Sequence, residues 1–154
     1  MFYLLVWLVQ DITQVLMMGF SLVPDVFMLL LLSAVLSPTL NDEKHKKIIW
    51  IAFLGGLMWD LRWTNLVGLT ALLNVFVVFF IPLYWKRVPA QGRNYPLFAF
   101  LLFFAQVLTT GANFIFWTIP SQVALRLVLT QLLLVVPVIT FLTYLYKKVY
   151  EDYV

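Results

Sequence analysis

Five charged side chains lie within or beside the apolar runs of this sequence, and they are the residues best placed to do chemistry: Asp11, Asp25, Asp60, Arg62 and Arg126. Charges at membrane depth are costly, so they usually face protein, where they pair with one another or mark an ion or proton pathway. One interpretation is an ion or proton site formed by Asp60 with Arg126. The favoured interpretation is a structural ion pair, because a proton relay needs several acids across the bilayer and only Asp11 is expected at mid-depth.

The other four charged residues are expected at one membrane level. Asp25 would begin the second helix, Asp60 and Arg62 would end the third, and Arg126 would lie about one turn into the sixth. All four positions are at the outer ends of their helices. They therefore form a candidate intramembrane ion pair or polar cluster.

Small residues form a second pattern, at four-residue spacing in the third helix and at the start of the fourth. They are Ala52, Gly55, Gly56, Gly68 and Ala71. Small side chains on one helix face allow two backbones to approach closely. The pattern predicts either packing between the third and fourth helices or a docking face for a helix of another protein, and the sequence leaves both open.

Uncharged polar residues form a third pattern. Gln10 and Gln14 share a face of the first helix with Asp11, and Gln106 and Asn113 lie on the fifth helix. Such residues often form hydrogen bonds between membrane helices. We expect an inward polar face that holds helices together, in preference to a small-molecule pocket.

Several kinds of chemistry find no support in the sequence. It has no cysteine, its one histidine is His45 in a charged loop, and it contains no nucleophile, zinc or phosphate-binding motif. We therefore expect a non-enzymatic protein without metal or cofactor. The net charge of +3 comes from short basic clusters between apolar runs, which indicates membrane topology and no binding of nucleic acid.

The elements that position these residues are apolar helices. Of the 154 residues, 64% are hydrophobic and 11% are charged, a composition that requires lipid as solvent. A spanning helix needs roughly 20 residues. The apolar runs predict six helices, and the result is an all-α transmembrane bundle in one domain over residues 1–154. The predicted helices cover residues 2–20, 24–36, 48–61, 66–85, 95–117 and 121–146.

Basic residues predict the orientation of this bundle. With both termini inside, the cytoplasmic segments hold eight of the ten Lys and Arg residues, in agreement with the positive-inside rule. An alternative with five spans, in which the first segment lies in the interface and the N-terminus is outside, is less favoured. We expect a multi-pass protein whose first helix is retained.

Two stretches resemble one family. The segments "PDVFMLLLL" at 24–32 and "FLGGLMWDLRWTNLVGLTALL" at 53–73 are similar to the MreD family of bacterial rod-shape-determining membrane proteins. The resemblance implies a scaffold in the bacterial cytoplasmic membrane that binds MreC directly. MreB, RodA and a penicillin-binding transpeptidase would belong to the same machinery. It also implies a fold similar to the S components of energy-coupling-factor transporters. The matching residues are Pro24, Asp25, Gly55, Gly56, Asp60, Gly68, Leu69, Ala71 and Leu72.

An S component of a vitamin transporter is the main alternative function. Such proteins typically present small residues on the first helix, where the coupling subunit packs. Here that helix reads "FYLLVWLVQDITQVL", which is bulky and carries a polar stripe, so the scaffold is favoured. A small channel or exporter subunit is a third possibility, for which a single mid-depth aspartate offers little support.

Overall fold

The computed structural model describes residues 1–17, 20–37, 40–64, 66–89, 92–116 and 121–151. Within these ranges the side chains at 113, 115, 116, 121, 122, 124, 150 and 151 are not described. The described residues form six helices. They are α1 (Phe2–Leu16), α2 (Val26–Leu36), α3 (Asp42–Trp63), α4 (Leu69–Arg87), α5 (Tyr95–Phe116) and α6 (Ser121–Glu151).

The all-α prediction is confirmed, but three helix starts differ from those expected, and α1 ends at Leu16 where residue 20 was expected. Helix α3 begins at Asp42, where the expectation was residue 48, because Asn41 caps the helix and Asp42 and Glu43 lie in its first turn. Acidic residues there interact favourably with the positive end of the helix dipole. Helix α2 begins at Val26 in place of residue 24, because Asp25 is its N-cap and the Asp25 side chain accepts a hydrogen bond from the N–H of Met28. Helix α4 begins at Leu69 in place of residue 66, after its N-cap Gly68.

Among the residues that the structure describes, three helices are long and apolar enough to cross a membrane, as is typical of a helical membrane protein. They are the segments Leu69–Arg87, Tyr95–Ala112 and Leu125–Val149 of α4, α5 and α6. Helices α1 and α2 are apolar but shorter, with 15 and 11 residues.

Helix α2 lies at the centre of the bundle. It contacts each of the other five helices, and Met28, Leu29, Leu31 and Leu32 are completely buried. A helix that is apolar on all sides is stable only where every side is covered. This central position explains why "VFMLLLL" carries no polar stripe.

Two apolar cores lie on either side of α2. One joins α2 to α4, α5 and α6 and ends in a cluster of aromatic rings, in which Phe98 stacks on Tyr146 with 4.1 Å between ring centroids. The other joins α2 to α1, α3 and α4 around Trp7 and Phe27. The polar residues discussed below lie among the helices that form these cores.

Candidate functional site

Asp60 is fully buried and holds the beginning of α4. Its carboxylate accepts hydrogen bonds from the backbone N–H groups of Gly68 (2.9 Å), Thr70 (3.1 Å) and Ala71 (3.2 Å). It also accepts one from the hydroxyl of Thr64, at 3.1 Å. The first N–H groups of a helix have no partner within the helix. Asp60 supplies that partner from α3, because the N-cap residue of α4 is Gly68, which has no side chain.

This arrangement corrects the expectation that Asp60 pairs with Arg126. The carboxylate of Asp60 is satisfied by α4, and Arg126 lies on α6 with its side chain exposed. Neutralisation of Asp60 comes from backbone dipoles at a helix N-terminus, where a negative charge is stabilised. The structure therefore does not join Asp60 and Arg126.

The ion pair found among the described residues joins α1 to α3. Arg62 contacts the carboxylate of Asp11 at 2.7 Å, and the indole N–H of Trp63 donates to the same carboxylate at 2.8 Å. The side chain of Asp11 is 2% exposed and that of Arg62 is 53% exposed. The half-exposed Arg62 thus pairs with a buried acid of α1. Asp11 has two partners, on consecutive residues of α3.

Of the five small residues predicted to pack or dock, Ala52, Gly55, Gly56 and Ala71 are buried against this chain's own helices. Gly68 is not packed, since an added Cβ there would meet nothing within 4 Å. An added Cβ at Gly56 would lie 2.5 Å from Cα of Ala71, so the two backbones are in direct contact. An added Cβ at Gly55 would meet the ring of Phe27 at 2.3 Å. Ala52 is also buried. Of the two alternatives, packing of the third and fourth helices is the one seen here, and a partner helix has no access to this face.

Gln10 and Gln14 hold the polypeptide that leads into α2. Gln10 Oε1 accepts from the N–H of Phe27 at 2.7 Å, and its amide donates to Asp25 at 3.3 Å. Gln14 Oε1 accepts from the N–H of Val23 at 2.9 Å. These α1 side chains therefore satisfy main-chain groups in an irregular segment.

Asp25 and Gln106 complete this arrangement from two further positions. Asp25 is the N-cap of α2 and accepts from the N–H of Met28 at 3.0 Å. The N–H of Asp25 itself donates to Gln106 Oε1 on α5, at 3.2 Å. Asp25 thus bonds within this group of glutamines, whereas the sequence placed it in one cluster with Asp60 and Arg62, whose bonds are to α4 and to Asp11.

The same segment is held from α6. Gln131 donates to the carbonyl oxygen of Val23 at 3.0 Å and accepts from Thr110 at 3.2 Å. Thr110 in turn accepts from the amide of Gln106 at 3.0 Å. Four helices, α1, α2, α5 and α6, are therefore linked through residues 21–25, which we call the inner segment.

The inward polar face predicted from the sequence is found for four of its five members. Gln10, Asp11, Gln14 and Gln106 are all buried, at 7% exposure or less. The side chain of Asn113 lies outside the described residues. Trp7 was not predicted from the sequence as a member of this face, and its indole N–H donates to the carbonyl oxygen of Gly55 at 3.0 Å. Trp7 stands three residues before Gln10 on the same helix face, and this spacing was the available signal.

Non-helical backbone at membrane depth is tolerated only where protein or an aqueous cavity satisfies its polar groups. In the inner segment, Gln14, Gln106 and Gln131 satisfy the N–H and the carbonyl oxygen of Val23 and the N–H of Asp25. These side chains thus hold the protein's own main chain in place by internal hydrogen bonds.

Comparison of this chain with protein families, with characterised proteins and with solved structures gives no match.

Proposed function

We propose that this protein is a non-enzymatic scaffold in the bacterial cytoplasmic membrane, with six spans and both termini in the cytoplasm. It would belong to the machinery that elongates the cell wall and bind the spanning helix of MreC. MreB, RodA and a penicillin-binding transpeptidase would be members of the same assembly. The proposal rests on the resemblance of residues 24–32 and 53–73 to the MreD family.

One structural observation favours a scaffold over a transporter subunit. The polar side chains best suited to hold a vitamin-sized ligand are Gln106 and Thr110 of α5 and Gln131 of α6. They are bonded to one another, to Asp25 N–H and to the carbonyl oxygen of Val23. A substrate site must offer polar groups to a ligand. Here those groups are occupied by the inner segment, as in a protein whose interior serves its own stability.

Because α3 and α4 pack against each other, their shared face is not available to a partner. Because Ala52, Gly56 and Ala71 are buried in the hairpin, leucine at Ala52 and Gly56 would break the hairpin and would not report on docking. In the ion pair between α1 and α3, Arg62 is the exposed partner and Asp11 the buried one. We propose Arg62 as the contact for the part of MreC just outside the membrane.

The test is affinity purification of the tagged protein from native membranes in mild detergent, followed by mass spectrometry. We expect MreC to be recovered, and another multi-pass protein carrying the same tag is the control. Recovery of an integral coupling subunit with ABC ATPases, and of no MreC, would overturn the scaffold in favour of the transporter subunit.

A further inference from the structure

A small cavity lies where α1, α2, α3 and α4 meet. Two tryptophans form part of its wall, and its polar lining comes from Gln10, Asp25, Thr70 and Asn74. Within this cavity, the centre of a molecule of the size of water can occupy a volume of about 10 Å³. Roughly 10–15 Å³ by this measure is enough for one water molecule. The cavity therefore has the size of a single small ligand.

Two buried polar atoms of this cavity have no protein partner. Oγ1 of Thr70 and Oδ1 of Asn74 form no hydrogen bond with any described residue, although the side chains are only 4% and 1% exposed. Buried polar groups in native proteins are nearly always bonded to protein or to ordered water. Two such atoms on one cavity point to a ligand that bonds to both.

The position of Thr70 explains why its hydroxyl is available. Threonines deeper in helices, such as Thr140 and Thr143, donate to the carbonyl oxygen four residues earlier. Thr70 is the second residue of α4, so the residue four positions before it lies outside the helix. Asn74 follows one turn later and faces the same side.

The charges around the cavity favour a neutral ligand. The positive end of the α2 dipole lies at Asp25, which disfavours a bound cation. The carboxylate of Asp25 disfavours an anion. The free groups are an amide oxygen, which needs a donor, and a hydroxyl, which can donate or accept. Water supplies two donors and two acceptor positions in the available space.

We propose that this cavity is a binding site for one water molecule. The water donates to Oδ1 of Asn74 and to the carboxylate of Asp25, and it accepts a hydrogen bond from the hydroxyl of Thr70. Three bonds are typical of buried water. This water joins the α3–α4 hairpin to the start of α2, and the proposal is independent of the proposed scaffold function.

The sign of one stability change tests this site. Thr70→Val keeps the shape of the side chain and removes the hydroxyl. If water is bound, the variant removes one of its partners, and we expect the thermal unfolding midpoint of the full chain in detergent to fall by about 2–4 °C. If the cavity is dry, the variant removes an unpaired buried hydroxyl, and the midpoint stays the same or rises. That result would overturn the proposal.

The control is Thr143→Val, since the hydroxyl of Thr143 is satisfied within α6 by the carbonyl oxygen of Ile139 at 2.8 Å. A crystal structure from a lipidic mesophase gives the second measurement. We expect one density peak at about 2.6–3.2 Å from Oγ1 of Thr70 and Oδ1 of Asn74. An empty cavity in a map that shows other buried waters would refute the site. So would a peak at the shorter distances of a metal ion whose occupancy follows the salt used.

Discussion

At the scale of single residues, Asp60 shows how a buried charge can be fully structural. Gly68 begins α4 with a φ of 97° and has no side chain to cap the helix. The side chain of Asp60 extends from α3 and accepts hydrogen bonds from three backbone N–H groups at the start of α4. A carboxylate in that position gains both hydrogen bonds and the field of the helix dipole. Asp60, the acid that most suggested transport chemistry, therefore has a structural role in the turn between α3 and α4.

We predict that Asp60→Asn destabilises the protein by about 2 kcal/mol, because an amide has one acceptor oxygen where the carboxylate has two, and hydrogen bonds to charged groups contribute more. Thermal unfolding in detergent should show a midpoint lower by about 4–8 °C. Asp42→Asn is the matched control, since Asp42 is exposed in the first turn of α3. Equal midpoints for the two variants would contradict the capping role.

The sequence predicted that Asp60 faces protein, but it could not identify the partner. Because a charge is costly at membrane depth, Asp60 was expected to be buried against protein. Whether its partner is Arg126 or the N–H groups of Gly68 and Thr70 depends on the geometry of the turn between α3 and α4. The same holds for Gln106, which bonds the N–H of Asp25 across 81 residues of sequence. Helix periodicity orients a side chain within its own helix and says nothing about which helix lies opposite.

At the scale of elements, the α3–α4 hairpin was predictable because its contact depends on the size of side chains. Small residues at four-residue spacing and a short turn indicated two antiparallel helices in close contact. The structure places Gly56 directly against the backbone of Ala71. Close backbone approach of this kind replaces the hydrophobic driving force that lipid does not supply.

Gly56→Ala should therefore separate α3 from α4. The added methyl group would lie 2.5 Å from Cα and 2.7 Å from N of Ala71, and overpacking against backbone costs about 1–3 kcal/mol. Gly111→Ala is the matched control. Its added Cβ meets open space, and alanine favours helix over glycine by about 1 kcal/mol. Thermal unfolding should show a lower midpoint for the first variant and an unchanged or higher one for the second. The reverse order would disprove the contact.

At the scale of the whole molecule, the short helices α1 and α2 raise the question of how this half of the chain crosses a bilayer. A hydrocarbon core is about 30 Å thick. Helix α2, with 11 residues, is about 16 Å long, and the five residues of the inner segment add about 16 Å when extended. Their combined length matches this thickness, so the proposed six-span arrangement requires that polar groups of the inner segment find partners within the protein. Gln14, Gln106 and Gln131 supply partners for the N–H and the carbonyl oxygen of Val23 and for the N–H of Asp25.

This combination makes the first two helices the decisive part of the topology. The proposed orientation places both termini and the start of α3 inside, and the connection between α1 and α2 outside. The chain has no cysteine, so single cysteines can be introduced without background. Phe2, Phe20 and Glu43 are suitable positions, because all three are exposed in the structure.

We expect a membrane-impermeant maleimide to label Phe20→Cys in intact spheroplasts, and to label Phe2→Cys and Glu43→Cys only after the membrane is permeabilised. The reason is the distribution of basic residues, which predicts that the segments around Lys44 and Lys147 lie in the cytoplasm. Labelling of Phe2→Cys in intact spheroplasts, with Glu43→Cys still protected, would instead show that α1 does not span. The protein would then have five crossings, and the glutamines of α1 would reach the inner segment from the membrane surface.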